Sequence, residues 1–345
     1  MRVEIYAESR RESRITLKSA FYLFNLWRVK YRPLIAMLIT FAVAAPLCGQ
    51  TKITTVSAMR VRKEPQVAAQ EVTRLKLGTV VNATTRSENQ DTISGKTDYW
   101  YLVALPNGQS GWLFGGLLLD HNANQREQLL RQIIEARLKV DSTDFADRLE
   151  IYDLAARATT EAKVMNTRGE FELLKLRALA HAGSMFREDR ADKSPYREWL
   201  KAHSAEVIYN EFAGGYNLRT ALLWKLETKY HTLPVAERIA WAAAWNPQPH
   251  DCEVDEVCRL FTFADGVEYL HRHPNGANAA DAIGLFDELL TDDVVNVANG
   301  KEIEPYTVED RNNVRKLMAS LRLALAKSTA DGKAKLLKKL DRITP

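Results

Sequence analysis

Apolar side chains recur along this chain with three different rhythms. Residues 34–47 form an apolar run in which Thr40 is the single polar position. Residues 51–119 alternate short β-branched and aromatic runs with Gly, Asn and Asp turns, which predicts a compact all-β unit. From Asn124 onward the apolar positions recur every three or four residues, which predicts amphipathic helices. The expected fold class is multidomain α and β. A signal or anchor segment at 1–49 precedes a small β-barrel at 50–121 and a mainly α-helical domain at 122–345.

Within the β unit a first strand is expected over 51–58, and residues 59–65 lead into a loop. Glu71–Leu75 feeds a turn at Lys76, Leu77 and Gly78, and another strand follows at 79–85. The polar stretch 86–98 predicts a loop. Residues 99–105 and 109–113 predict a hairpin across Asn107-Gly108, because both residue types tolerate positive φ.

In the helical region Leu129, Leu130, Ile133, Ile134 and Leu138 form the first stripe, with Arg126, Glu127, Arg131 and Glu135 outside it. Similar stripes run through Leu149, Tyr152 and Ala156, through Phe171, Leu174 and Ala178, through Leu222, Leu226 and Tyr230, and through Phe286, Leu289 and Leu290. Thr307 and Asp310 have the spacing of a capping box. The periodicity predicts about ten helices. Pro234 and Pro274 stand 40 residues apart, each opening an Ala-rich helix, a position proline suits. Two such echoes fall short of the three units a solenoid needs, so an ordinary bundle is the simpler expectation.

Charge at first suggests an anionic partner, since the chain carries a formal net charge of +4. Its position removes that inference. Residues 1–49 hold eight basic residues against three acidic ones, leaving 40 basic and 41 acidic residues in the remainder. A nucleic-acid partner is therefore not expected. Arg28, Lys30 and Arg32 precede the apolar run, and Ala42, Ala44 and Ala45 end it, which is the pattern of a secretory signal peptide. The run is shorter than the roughly 20 residues that span a bilayer, so cleavage near Gly49 or Gln50 is favoured over retention of 33–48 as an anchor. In the anchored alternative the three basic residues stay on the cytoplasmic side, and this segment is the only membrane contact. Lipidation of Cys48 is disfavoured because Leu47, directly before it, departs from the usual small residue.

Beyond Cys48 the only cysteines are Cys252 and Cys258. In an oxidising compartment an even pair across a short loop predicts a disulfide. The rival reading is a metal site drawing on His250, His271 and His273, although zinc favours two to four residues between cysteines.

The order of motifs in the β unit resembles the bacterial SH3-like domain family. Met59 with Val61, Arg62 and Pro65, then Leu75 with Gly78, then Trp100 and Val103, and finally Gly111, Trp112 and Leu113 follow its pattern over about 70 residues. The long stretch 86–98 departs from it. The resemblance implies an SH3-like barrel acting as a binding module for peptidoglycan peptide or an envelope protein. Tyr99, Tyr101 and Trp112 are candidate groove residues, with Arg62 and Glu64 as polar contacts. For the three aromatic residues, packing under the loops and ligand contact are both open. Trp100 cannot share a face with Tyr99 and Tyr101, and it is expected in the core. Residues 269–290 carry a slighter, tetratricopeptide-like resemblance, which implies a protein-binding scaffold.

No phosphate loop, zinc-protease helix motif or nucleophile elbow is present in the sequence. Glu206, Glu211 and Glu268 can be nominated as a general acid in a wall-degrading enzyme. Carboxylates at helical spacing are usually solvated instead. Trp199, Trp224, Trp241 and Trp245 fit helix cores, and Asp251, Glu253, Asp255 and Glu256 fit a solvated loop. Lys333, Lys335, Lys338 and Lys339 fit a solvated face of a final helix. The expectation is a non-enzymatic exported protein of the periplasm or cell envelope, without metal or cofactor. Its alternatives are a helical adaptor and, more distantly, a peptidoglycan-degrading enzyme.

Overall fold

Strands form where β-branched and aromatic residues alternate, and helices where Ala and Leu dominate. The computed structural model describes residues 49–344, apart from 106, 187, 212–213, 247–251, 253–254 and 302–305. The leader with its 33–48 run and Cys48 lies outside the described residues, as do His250, Asp251 and Glu253. No helix among the described residues is long and apolar enough to cross a membrane.

Seven strands build an antiparallel sheet: β1 (Gln50–Thr54), β2 (Met59–Arg62), β3 (Glu71–Leu75), β4 (Val80–Ile93), β5 (Lys96–Ala104), β6 (Ser110–Phe114) and β7 (Leu118–Asp120). Their order is β3-β2-β6-β5-β4-β1-β7. The sheet curls as a half-barrel whose edges, β3 and β7, do not pair, so closure is less complete than the expected barrel. Its concave side holds Met59, Val61, Val81, Ala83, Val103, Leu105, Leu113 and Leu118.

The stretch 86–98 is not a loop. β4 and β5 continue through it as one long hairpin that turns at Ser94 and Gly95, where Ile93 pairs with Lys96. Both turn residues are left-handed, with φ of 50° and 78°, which suits the twist of the flanking strands. Polar composition misled the sequence reading because the arm covers its one buried aromatic residue, Trp100, with the polar Ser87 and Asp91 and so shows no apolar alternation. The hairpin across Asn107 and Gly108 has three residues between Leu105 and Gln109 and is closed by Leu105 N donating to Gln109 O at 2.8 Å.

Twelve α-helices follow among the described residues. Those that position the features below are α1 (Arg126–Leu138), α2 (Phe145–Glu161), α3 (Met165–Gly183), α4 (Tyr196–His203), α5 (Thr220–Tyr230), α6 (Val235–Ala244), α7 (Glu256–Thr262), α8 (Asp265–Arg272), α9 (Ala279–Leu289), α10 (Asp292–Ala298), α11 (Val308–Lys327) and α12 (Lys333–Leu340). α11 opens with the expected capping box: Thr307 Oγ1 accepts from Asp310 N, and Asp310 Oδ2 accepts from Thr307 N. α2 buries Ile151, Leu154, Ala155 and Ala158, displaced from the expected stripe, because it packs on more than one neighbour. Leu149 and Tyr152 are only partly covered. One element interrupts the helices: β8 (Val207–Asn210) pairs with β9 (Gly215–Leu218) in a short hairpin packed against α3. Four residues per strand leave too little alternation to read from the sequence. The helices that flank Pro274 do not form a close pair; α8 packs chiefly on α6 and α11.

The half-barrel and the helices share a core. Ile53 and Leu77 are fully buried against Leu130, Ile133, Ile151 and Leu154, with Leu119 alongside. The turn at Lys76, Leu77 and Gly78 is the seat of this junction. Leu77 N donates to Glu150 Oε2 at 2.7 Å, and Arg157 Nη2 donates to Leu77 O at 3.0 Å. Gly78 has φ +73°, and a Cβ there would lie 2.4 Å from Leu154 Cδ1, so both conformation and contact require glycine.

Candidate functional site

Strand alternation sorts the candidate residues onto two faces of the sheet. Tyr101 pairs with Leu113, a fully buried residue of the concave core, whereas Leu102 pairs with Trp112 and Trp112 with Arg62. Trp112, Leu102 and Arg62 therefore stand together on the convex face of β2, β6 and β5. All three are half-buried, and neither Trp112 nor Leu102 belongs to any of the hydrophobic cores. Gly111 makes the close crossing possible, since a Cβ there would sit 2.4 Å from Val61 Cγ1 and 2.9 Å from Arg62 O. The Gly-Trp pair thus combines a tight strand approach with an indole on the opposite side.

Arg62 is not simply solvated. Its Nη1 donates to Ala69 O at 2.8 Å and ties down the loop between β2 and β3. Glu64 accepts from Gln66 Nε2 within that loop.

Tyr99 and Tyr101 are not brought to Trp112. The Arg86 guanidinium lies 4.1 Å from the Tyr99 ring centroid, and the Lys52 ammonium lies 4.4 Å from that of Tyr101. Lys52 is also paired with Asp120 at 2.7 Å. A Cβ on Gly115 would meet Tyr101 Cε2 at 2.6 Å, so that ring is packed against backbone.

Trp100 is buried as expected, but not in the concave core. It pairs with Phe114 on the same convex side as Trp112, in a T-shaped contact of 5.7 Å between ring centroids. Three residues of β4, 87–89, bulge opposite Trp100. Ser87 Oγ accepts from Trp100 N at 3.0 Å, and Asp91 Oδ2 accepts from its indole Nε1 at 2.7 Å. The arm formed by β4 and β5 therefore roofs Trp100 and leaves Trp112 outside the roof. Asp91 and Ser87 are structural supports of Trp100 that the sequence reading missed, because their stretch looked like a solvated loop.

The remaining candidates are tied into structural contacts. Cys252 and Cys258 form a disulfide with Cα atoms 5.3 Å apart. His271 Nε2 contacts Ser320 Oγ at 2.9 Å, and His273 Nε2 contacts Glu227 Oε1 at 3.1 Å. Among the described residues no cluster of three or more His, Cys, Asp or Glu side chains is arranged to hold a metal ion. Asp255 caps α7 and accepts from Tyr306. Burial, reinforced by this carboxylate, pushes the Tyr306 phenol up to about 12. Glu256 accepts from Thr291 Oγ1. Of the nominated acids, Glu206 meets His203 Nδ1 at 2.5 Å, Glu268 is paired with Arg272 at 2.6 Å, and Glu211 is exposed. The most deeply buried carboxylate is Glu227, whose two oxygens are taken by Arg272 and His273. Lys335 and Lys339 are paired with Asp287.

The geometry of residues 59–113 agrees with one comparison. Residues 57–118 match the bacterial SH3 domain family. The chain matches no curated protein and no solved structure. Bacterial SH3 domains are typically modules that bind cell wall or protein and are common in extracellular and envelope proteins, and the match suggests such a module here. It covers the two strands that carry Arg62 and Trp112 and stops before the helices.

Proposed function

We propose that this is a non-enzymatic protein of the bacterial envelope whose SH3 module binds peptidoglycan peptide, or a protein partner there, across the face of Trp112, Leu102 and Arg62. The observation that carries this reading is the direct pairing of Trp112 with Arg62 on a convex face that no hydrophobic core absorbs. An indole supplies rigid contact area at small entropy cost, and a guanidinium edge suits the carboxylates of a wall peptide. The basic, apolar leader supports export, and the Cys252–Cys258 bond is of the kind that persists in an oxidising compartment. A specific observation favours an adaptor role for the helices: α2 grips the module through Glu150 and Arg157, which holds one face outward in a set direction.

Co-sedimentation of the purified chain with isolated peptidoglycan tests the reading. The chain should pellet with the wall, and Trp112→Ala should remain in the supernatant while losing no more than about 1 kcal/mol of stability. Equal pelleting of both proteins, or none by either, removes the wall-binding version; capture of a protein partner that Trp112→Ala abolishes supports the protein-binding one.

A further inference from the structure

A cleft of about 440 Å3 opens in the helical region, remote in sequence from the SH3 module. Its volume falls in the range of small-molecule sites, which are typically apolar with a few converging polar groups. α6 contributes Trp241 and its C-cap is Trp245, one turn on, with their rings stacked at 4.1 Å between centroids and 26° between planes. The stack is braced from behind: Trp241 meets Tyr269 edge-on at 5.3 Å, and Trp245 lies 6.0 Å from Phe263. Both indoles are half-buried, so their position is set by the core while part of each faces the cleft.

The polar groups of the cleft are unequal. Arg238 is committed, with its guanidinium on Glu170 and 3.6 Å from Glu135. Arg177, on α3, is exposed and has no hydrogen bond or ion pair with another described residue. Asn246 spends its Nδ2 on Leu218 O at 2.8 Å and on Thr220 Oγ1 at 2.9 Å. Asn278 spends its Nδ2 on Glu237 Oε1 at 2.9 Å. Those donations fix the amide orientations and leave each Oδ1 as an acceptor. The cleft therefore offers the exposed side of a tryptophan stack, one uncommitted cation and two acceptors suited to hydroxyl groups.

We propose that this cleft is a second binding site, for a sugar that carries a carboxylate. The apolar C–H side of the pyranose ring packs against the exposed side of the Trp241–Trp245 stack, the carboxylate pairs with Arg177, and ring hydroxyls donate to Asn246 and Asn278. A hydroxyl-rich ring matches the acceptors where a purely apolar acid would leave them unpaired, which is costly in a half-buried site. The inference does not rest on the SH3 reading, because the site shares no residue with the convex face of the sheet.

Calorimetric titration of the purified chain tests it, with N-acetylmuramic acid, N-acetylglucosamine and N-acetylglutamate as probes. The acidic sugar should bind saturably and at least about tenfold more tightly than the neutral one, a factor equal to about 1.4 kcal/mol. The acyclic acid should bind no better than the neutral sugar. Arg177→Ala, on an exposed position, should erase the preference for the acidic sugar without altering thermal unfolding, and Trp245→Leu should weaken both sugars. The proposal is overturned if the acidic sugar does not bind, if the acyclic acid binds equally well, or if Arg177→Ala leaves the acidic-sugar affinity intact. Should Trp245→Leu fail to fold, the Arg177 result decides alone. Wall co-sedimentation of Arg177→Ala should match that of the wild type, so failure here is distinguishable from failure of the SH3 face.

Discussion

The two sides of the small sheet share one strand geometry and meet opposite fates. Toward β1 and the Leu77 turn, Ile53 and Leu77 are sealed by α1 and α2, and the turn's backbone polar groups find partners on α2. Toward β2, β6 and β5, Trp112 and Leu102 lie outside every core, although their residue types are at least as apolar. The difference teaches that apolarity alone does not decide burial; under the proposed function the binding face is marked by an aromatic residue left outside the cores after the neighbouring elements have been packed.

This contrast can be broken most severely on the sealed side. Leu77→Ala removes a fully buried side chain from the junction and should cost about 2–5 kcal/mol in urea titration; a loss under about 1 kcal/mol would mean that the turn is not the seat of the junction. Reduction of Cys252–Cys258 opens a short loop far from the sheet. It should cost about 2 kcal/mol of overall stability and leave wall or partner binding unchanged, as read by unfolding and co-sedimentation with and without dithiothreitol.

Glu150→Gln weakens a charge-assisted acceptor for Leu77 N and should cost about 1 kcal/mol, with a loss of amide protection at Leu77 in hydrogen exchange. A pH effect sharpens the same side. Burial alone would raise the Asp147 carboxyl, but the Ser57 and Ser142 hydroxyls and the Arg137 guanidinium outweigh it and hold the group below its ordinary 3.8. Its contribution is therefore complete above the ordinary aspartate range and is lost as pH falls through the lower folded value. Asp147→Asn should flatten the acid limb of the stability curve. The smallest stability effect belongs to the open side: Trp112→Ala should shift unfolding by no more than about 1 kcal/mol while removing binding. A larger shift would show that Trp112 is a structural residue after all.

Much of the module was legible from local chemistry. Val61 before Arg62, the glycine of the turn at 78 and the glycine before Trp112 each answer a local demand, for core packing, left-handed backbone or close strand crossing, and such demands leave recognisable residues. The hairpin arm was not legible, because Ser94-Gly95 is a modest turn signal and its strands are mostly exposed and polar. The placement of Trp100 depended on that arm. Alternation said it would oppose Tyr99 and Tyr101, yet burial came from Ser87 and Asp91, residues whose role exists only once the arm folds over. In the helices, Trp241 and Trp245 read as core residues, and the packing that makes them so also leaves part of each in a cleft.

Sequence alone determined that a β-rich unit precedes the helices, most strands of the SH3 module, several helix stripes and the capping box at Thr307. All of these follow from period and from contacts within a few residues. Tertiary structure decided which face of the module stays open, which aromatic residues are roofed or packed, and that Arg177 lines the same cleft as a tryptophan stack. Those outcomes depend on segments distant in the chain arriving at the same place, and no local pattern encodes what a neighbour will cover.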